Sequence, residues 1–306
     1  MKTGCLSFIL FFISFYSSAQ DSLLNMLDAD IPIEREHVTN AFKSTRVIMS
    51  HSIEHVGAGA LDFRILHRFG MFSMGLPGAF GFDKASMRIG LDYGISKRLM
   101  IGIGRSTFKE EADAFAKYRL FWQTKGKYRM PFTIELVSGI TVYGTPWEFP
   151  DRKNYFSSRI AYYHQLIVGR KFSDRLSIQG GPVVVHRNFV EHADEPNDIY
   201  SCEIGGRIKL TKRFSVNADY FYIFPNQLPE TATMPLSLGV DIETGGHVFQ
   251  LHITNASAMS ERALITETTG KWSKGNLGFG FNLSRVFTIY DKQNHQKPKL
   301  TNPQNF

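Results

Sequence analysis

Apolar residues recur at every second position over many short segments of this chain. Met87, Ile89, Leu91, Tyr93 and Ile95 share one face, opposite Arg88, Gly90, Asp92 and Gly94. Tyr200, Cys202, Ile204, Gly206, Ile208 and Leu210 oppose Ser201, Glu203, Gly205, Arg207 and Lys209. Phe214, Val216, Ala218, Tyr220 and Tyr222 repeat the pattern, as do Leu277, Phe279, Phe281 and Leu283. Period two with one apolar face marks a strand buried on one side. The pattern predicts about twelve strands, over 60–69, 86–95, 99–106, 113–123, 131–142, 158–171, 175–187, 199–210, 213–224, 236–242, 247–254 and 276–289. The segment 158–170 is ambiguous, because Tyr162, Tyr163, Leu166 and Ile167 place apolar groups on both faces.

One turn recurs between these segments: Ser96-Lys97-Arg98-Leu99, Ser173-Asp174-Arg175-Leu176 and Thr211-Lys212-Arg213-Phe214. The connections alternate in length. Short ones fall at 96–98, 124–130, 172–174, 211–212 and 243–246, long ones at 70–85, 107–112, 143–157, 188–198, 225–235 and 255–275. Alternating strands joined by short turns at one end and longer loops at the other are the pattern of a closed antiparallel transmembrane β-barrel, short turns periplasmic. The fold class expected is therefore all-β. An even strand count returns both ends to the periplasm. Thr45 to Ile53 would break that parity, so it is expected as an extra periplasmic strand or a partial plug. A soluble β-sandwich or lipocalin-like barrel would also alternate. Aromatic residues near strand ends, such as Phe121-Trp122, Tyr143, Trp147, Tyr155-Phe156, Tyr220, Tyr222, Trp272 and Tyr290, favour the membrane barrel, whose interfaces carry aromatic girdles.

The segment 1–19 reads as a secretory signal. Lys2 precedes an apolar stretch from Leu6 to Phe15, and Ser17-Ser18-Ala19 forms a small-residue cleavage site. Residues 20–43 read as a periplasmic lead-in, 44–290 as the barrel domain, and 291–306 as a polar tail. No later apolar stretch is long enough for a spanning helix. In lipid every backbone polar group must be paired within the protein, which leaves only a closed barrel. The location expected is the cell outer membrane, with its lipid as the main partner.

The formal charge of +7 is spread along the chain. There is no basic run of the kind that binds nucleic acid. After the signal, Cys202 is the single cysteine, so no zinc, iron–sulfur or attached-haem site is expected, and no cofactor. Turning the apolar faces to lipid puts charges inside. They are Arg64, Arg68, Arg88, Lys117, Arg119, Arg207 and Lys209 against Asp62, Asp92, Glu135, Glu203, Asp219, Asp241 and Glu243. A strongly ion-selective pore shows rings of one sign. Balanced signs fit either a charge network filling the lumen or a narrow channel for small polar solutes. Gly102 and Gly104 fall on the same face, where small residues make room for large ones.

Other candidate chemistry is weak. His51 and His55 have helical spacing in an extended segment. His186 and His192 lie at one rim with Glu191, Asp194 and Glu195. His247 and His252 lie on opposite faces. No metal site is expected. Ser157-Ser158 with His164, or Ser201 near His186, could be drawn as a hydrolase site, but no spacing requires it. No catalytic residues, and no enzyme, are expected.

Several local motifs occur together: Phe42-Lys43-Ser44-Thr45-Arg46, Leu61-Asp62-Phe63-Arg64 with His67-Arg68-Phe69-Gly70, Gly90-Leu91-Asp92-Tyr93-Gly94-Ile95, Asn154-Tyr155-Phe156-Ser157-Ser158-Arg159, Val185-His186-Arg187-Asn188 and 241–251 from Asp241 to Leu251. As a set they resemble a Bacteroidetes-type outer-membrane β-barrel family of unknown function, over about 40–290. The resemblance implies a barrel and a location, and supplies no activity. The function expected is a narrow channel or transport-related barrel for small polar solutes. The alternatives are a closed barrel acting through its loops as a scaffold or surface-binding protein and, further off, an outer-membrane hydrolase.

Overall fold

A computed structural model describes residues 35–290, apart from 128, 148, 149, 152 and 191–194. The expected signal segment, the first part of the lead-in, the polar tail and the rim residues Glu191, His192 and Asp194 lie outside the described residues. Twelve strands close into an antiparallel barrel. In chain order they are β2 (Ala60–Met71), β3 (Ala85–Gly94), β4 (Leu99–Ser106), β5 (Ala112–Phe121), β7 (Thr133–Val142), β8 (Ile160–Lys171), β9 (Leu176–Arg187), β10 (Asp198–Lys209), β11 (Phe214–Ile223), β12 (Leu236–Thr244), β13 (His247–Thr254) and β14 (Gly278–Thr288). Every boundary falls within two residues of the one the alternation predicts. Pairing of β14 with β2 closes the barrel, with one register shift at Gly278/Gly280. A separate ribbon pairs β1 (Glu36–His37) with β6 (Thr124–Lys125) at the short-turn end.

The recurring turn has one physical design in all three copies. The Ser96 hydroxyl accepts from the N–H groups of Arg98 (3.2 Å) and Leu99 (3.0 Å). Ser173 does the same for Arg175 and Leu176, and Thr211 for Arg213 and Phe214. Such a hydroxyl substitutes for a backbone partner in a tight turn. The arginine carbonyl of each turn then accepts from a further strand. Arg98 takes the N–H of Arg119 (2.8 Å), Arg175 that of Lys209 (2.7 Å), and Arg213 that of Glu243 (2.9 Å). Each turn thus joins its own two strands and pins a third.

The outer wall is apolar. Ile89, Leu91, Ile101, Ile103, Leu136, Ile204, Ile208, Val216, Leu238, Val240 and Phe249 are all exposed large hydrophobics. A continuous apolar belt of this kind has a stable solvent only in lipid. Among the described residues no helix is long and apolar enough to cross a membrane. The spanning elements are the strands.

The interior holds a second core. Of the two expectations for Thr45 to Ile53, the extra periplasmic strand does not form and the plug does, as part of residues 41–56. They enter from the short-turn end and fold into a hairpin inside the barrel, tied by Val47 N–H to Ser50 O (2.9 Å) and Ser52 N–H to Thr45 O (2.9 Å). Val47, Ile48, Met49 and Ile53 are buried. They belong to one apolar cluster with Phe115, Val137, Tyr163, Ile167, Val183, Val185 and Phe221 of the wall. This resolves the ambiguity of 158–170. On β8, Tyr163 and Ile167 are buried, while Tyr162 and Leu166 are half-buried on the opposite face. Period two holds, and both faces are apolar because one meets lipid and the other meets the hairpin.

Gly139 on β7 is where this core is tightest. A Cβ there would collide with the ring of Tyr163, its cross-strand partner. Overpacking of this kind costs about 1–3 kcal/mol. Gly139→Val should lower stability by that order, read as a shift in the urea midpoint of the detergent-folded protein monitored by gel mobility. Gly206→Ala is the control: the nearest atom to its added Cβ would lie at 3.7 Å, and the midpoint should stay unchanged.

Candidate functional site

The hairpin is held chiefly through its backbone. Asp219 of β11 accepts from the N–H groups of Ile48 (3.2 Å), Met49 (2.6 Å) and Ser50 (2.9 Å). Three convergent N–H groups at a turn form a concavity suited to a carboxylate. Asn282 donates to the Ile48 carbonyl (2.9 Å), and Gln250 to that of Val47 (2.7 Å). Gln179 accepts from Ile53 N–H (3.0 Å) and donates to His51 O (2.6 Å). These partners are strand residues whose side chains turn inward by alternation.

The fourteen charges expected to line the lumen divide into two sets. Twelve are buried: Asp62, Arg64, Arg68, Arg88, Asp92, Lys117, Arg119, Glu135, Glu203, Arg207, Asp219 and Asp241. Lys209 and Glu243 are only half-buried near the short-turn end, where Glu243 pairs with Lys43. The buried set does not line open water, because the hairpin occupies the space. Arg64 donates to Ser44 (2.9 Å), Thr45 (2.6 Å) and Asp62 (3.2 Å). Asp92 accepts from Thr45 (3.2 Å), and Glu203 from Ser50 (2.9 Å). Lys117 donates to the carbonyls of Ser52 and Glu54, and Arg119 to that of Ile53 (2.8 Å) and to Glu135 (2.8 Å). Arg207 donates to Ala41 O (2.9 Å), and Asp241 accepts from Gln250 (2.9 Å). Arg68 donates to Asn282 (2.9 Å). Arg88 instead makes a two-pronged bond with Asp113 of the neighbouring wall (2.8 and 2.5 Å). A buried charge needs a partner and hydrogen bonds, and the hairpin backbone supplies many of them.

The long-loop end sends a second insertion inward. In the connection after β13, Ala256, Ala258 and Met259 are buried, and a short helix α1 (Glu261–Thr266) is buried throughout. Ser260 caps it, accepting from Ala263 N–H (3.3 Å). Glu111 anchors it to the wall, accepting from Ser260 (2.5 Å) and Arg262 Nε (2.8 Å). Helix and hairpin meet at Glu261. Its Oε1 takes Arg46 Nη1 at 2.5 Å and stands 3.1 Å from His51 Nε2. Burial alone would raise the Glu261 carboxyl, but the Arg46 guanidinium holds it well below the usual carboxylate range. Burial, followed by the Arg46 charge, lowers His51 to about 4, so the ring is neutral. Tyr163 completes the node, 3.2 Å from the same His51 nitrogen.

Sequence reasoning missed this node. Arg46 and His51 lie in the segment expected as an extra strand or plug, whose partners no local pattern names, and Glu261 lies in a long connection without strand periodicity. The available signal was the run Ala263-Leu264-Ile265, too apolar for a solvated loop and preceded by a Ser cap. The other candidates separate. His55 lies 3.2 Å from Glu135, away from His51. His164 contacts Ser138 (2.9 Å) rather than Ser157 or Ser158, and His186 contacts Asp198 (2.7 Å) rather than Ser201. Neither serine–histidine arrangement forms. His252 is buried and His247 half-buried. Among the described residues no group of three or more His, Cys, Asp or Glu is placed to hold a metal.

An apolar outer belt, a closed ladder and an interior filled from both ends define an integral membrane β-barrel with an internal plug. The chain belongs to the membrane-bound β-barrel domain family (DUF5777), whose model matches residues 42–287. The matched region starts at Phe42 and so includes the hairpin. No curated protein matches the chain. Among solved structures the chain is similar to the KdgM porin, at 10% identity over 74% of this chain and 99% of that one, with a TM-score of 0.46. It is similar to the NanC porin at 8% identity, over 74% and 98%, with a TM-score of 0.46. For Omp33 of Acinetobacter baumannii the values are 7%, 74% and 97%, and 0.40.

Removing one partner of a buried ion pair strands the other charge and costs about 3–5 kcal/mol. Glu261→Gln should therefore destabilise the folded protein by that order. Arg46→Gln should do the same, and the double variant should cost much less than the two summed. Denaturant unfolding of the four proteins in one detergent measures the coupling. Additive losses would show that Arg46 and Glu261 do not act together.

Proposed function

We propose that the chain is an outer-membrane barrel that handles small polar solutes and is kept closed by its own hairpin. One observation carries this reading. The hairpin is docked through backbone hydrogen bonds to wall side chains that are themselves charged or polar. Such a wall can exchange the hairpin for water, whereas a wholly apolar lining would not rehydrate. With residues 41–56 withdrawn, Arg64, Arg119, Arg207, Glu203 and Asp219 would face water as a polar surface of mixed sign, beside the apolar strip of Tyr163, Ile167, Val183 and Val185. Porin interiors have that polar character. Displacement of the hairpin is then the opening step, and the node at Glu261 is the inner latch. The short-turn end, where the hairpin enters, faces the periplasm, and the long loops face outward. Outer-membrane lipid surrounds the apolar belt. The role is transport rather than catalysis.

A second reading rests on the same filled lumen: a permanently closed barrel that presents its loops. Planar-bilayer recordings separate the two. Intact protein should show rare openings. A chain lacking only 41–56, and an Asp219→Asn variant that loosens the hairpin turn, should both conduct far more often. Correct assembly is checked by the mobility difference between unboiled and boiled samples. If both variants assemble and stay as silent as the intact protein, gating is wrong and the loop-presenting barrel stands.

A further inference from the structure

The long-loop end holds a bowl of about 550 Å3 above helix α1. Five connections contribute to it, through residues of the loops after β4, β7, β9, β11 and β13. Its volume is that of a small-molecule site. Five cations line it: Lys109, Lys153, Arg159, Arg187 and Arg262. Three of them are already answered. Glu267 takes Arg262 Nη1 at 2.5 Å and Lys109 at 2.8 Å, and Glu195 stands 3.4 Å from Arg187.

Arg159 and Lys153 are different. Among the described residues Arg159 donates from Nη1 alone, to the carbonyls of Tyr143 (3.0 Å) and Thr145 (2.5 Å). Its guanidinium lies 3.9 Å over the Trp147 ring. The ammonium of Lys153 stands 5.0 Å from the Tyr155 ring centroid. Among the described residues neither cation has a carboxylate within ion-pair distance. A third observation points the same way. Arg262, buried in the floor, has Nη2 without a hydrogen-bond partner. The two carbonyls and the indole fix Arg159 in place, so its Nε and Nη2, which have no partner among the described residues, are preorganised for a planar or tetrahedral oxyanion. Trp147 and Phe189 add apolar surface beside them.

We propose that this bowl binds a small solute carrying an oxyanion on a sugar-sized ring, with Arg159 and Lys153 holding the anion and Trp147 flanking the ring. The inference deepens the transport reading by naming what waits above the latch. It rests on that reading only for the direction of travel, since binding is measured without any current. The site can therefore fail while gating stands, and the reverse.

The test is calorimetric titration of the detergent-folded full chain with glucuronate, glucose 6-phosphate and glucose. One or both anions should bind, at least about tenfold more tightly than neutral glucose, as a hydrogen-bonded charge contributes on that scale. Raising salt should weaken the anions and leave glucose unchanged. Arg159→Gln should weaken the anion by about tenfold or more, and Lys153→Gln should weaken it less, its side chain being exposed. Lys97→Gln, in a turn at the opposite end, should change nothing. Preference for one anion over the other identifies the headgroup. No binding of either anion, equal binding of glucose, or full affinity in Lys153→Gln together with Arg159→Gln would overturn the proposal. Should Arg159→Gln fail to assemble, Lys153→Gln decides alone.

Discussion

The structure turns on a carboxylate that two inserted segments share. Glu261 descends from the long-loop end on α1, and Arg46 with His51 rises from the short-turn end on the hairpin. Neither insertion could bury its charge alone. An isolated carboxylate or guanidinium in a dry interior is too costly to persist. Joined, the two ends of the barrel satisfy one another across its middle. The arrangement also explains why α1 is buried throughout despite carrying Glu261 and Arg262. Each charge on it has a counter-charge fixed by the wall or by the hairpin.

Around that contact the molecule has two boundaries of opposite sense. The outer face of the strands is apolar and meets lipid, where no water competes. The inner face is mostly polar, yet encloses a cluster of Val47, Ile48, Ile53, Phe115, Tyr163 and Val185. The interior therefore resembles that of a soluble domain, with an apolar centre and satisfied polar groups around it. The hairpin contributes no ladder to the barrel. It contributes carbonyls and N–H groups to charged side chains that would otherwise need water.

The barrel was legible because a strand with one lipid face keeps its period whatever lies inside. Met87 to Ile95 and Tyr200 to Leu210 show this plainly. The three Ser/Thr turns were legible because a hydroxyl two residues before an arginine builds the same bonds each time. The inward charges followed from parity. Their partners did not, since nothing in local spacing tells Asp219 that it will receive three N–H groups from residues 48–50. The plug was written in two misfits: the strand parity that Thr45 to Ile53 would break, and an apolar inner face at Tyr163, Ile167, Val183 and Val185 where a water-filled channel would have polar groups. The meeting of Arg46 with Glu261 joins positions 215 residues apart, beyond the reach of any periodic signal.

The hairpin is fastened at both of its ends. Before it, Glu36–His37 pairs with Thr124–Lys125. After it, Gly59 is clamped at the barrel seam, its N–H on Gly94 and its carbonyl accepting from Ile289 and Tyr290 (2.9 Å each). A segment tethered at both ends cannot diffuse away once undocked. Its effective concentration at the empty lumen is set by the short tethers, in the millimolar range or above. Reclosure is then a unimolecular event, independent of how many copies the membrane holds. Under the proposed gating, the closed state is the one to which every single barrel returns by itself, so whatever opens it must act for as long as it is to stay open.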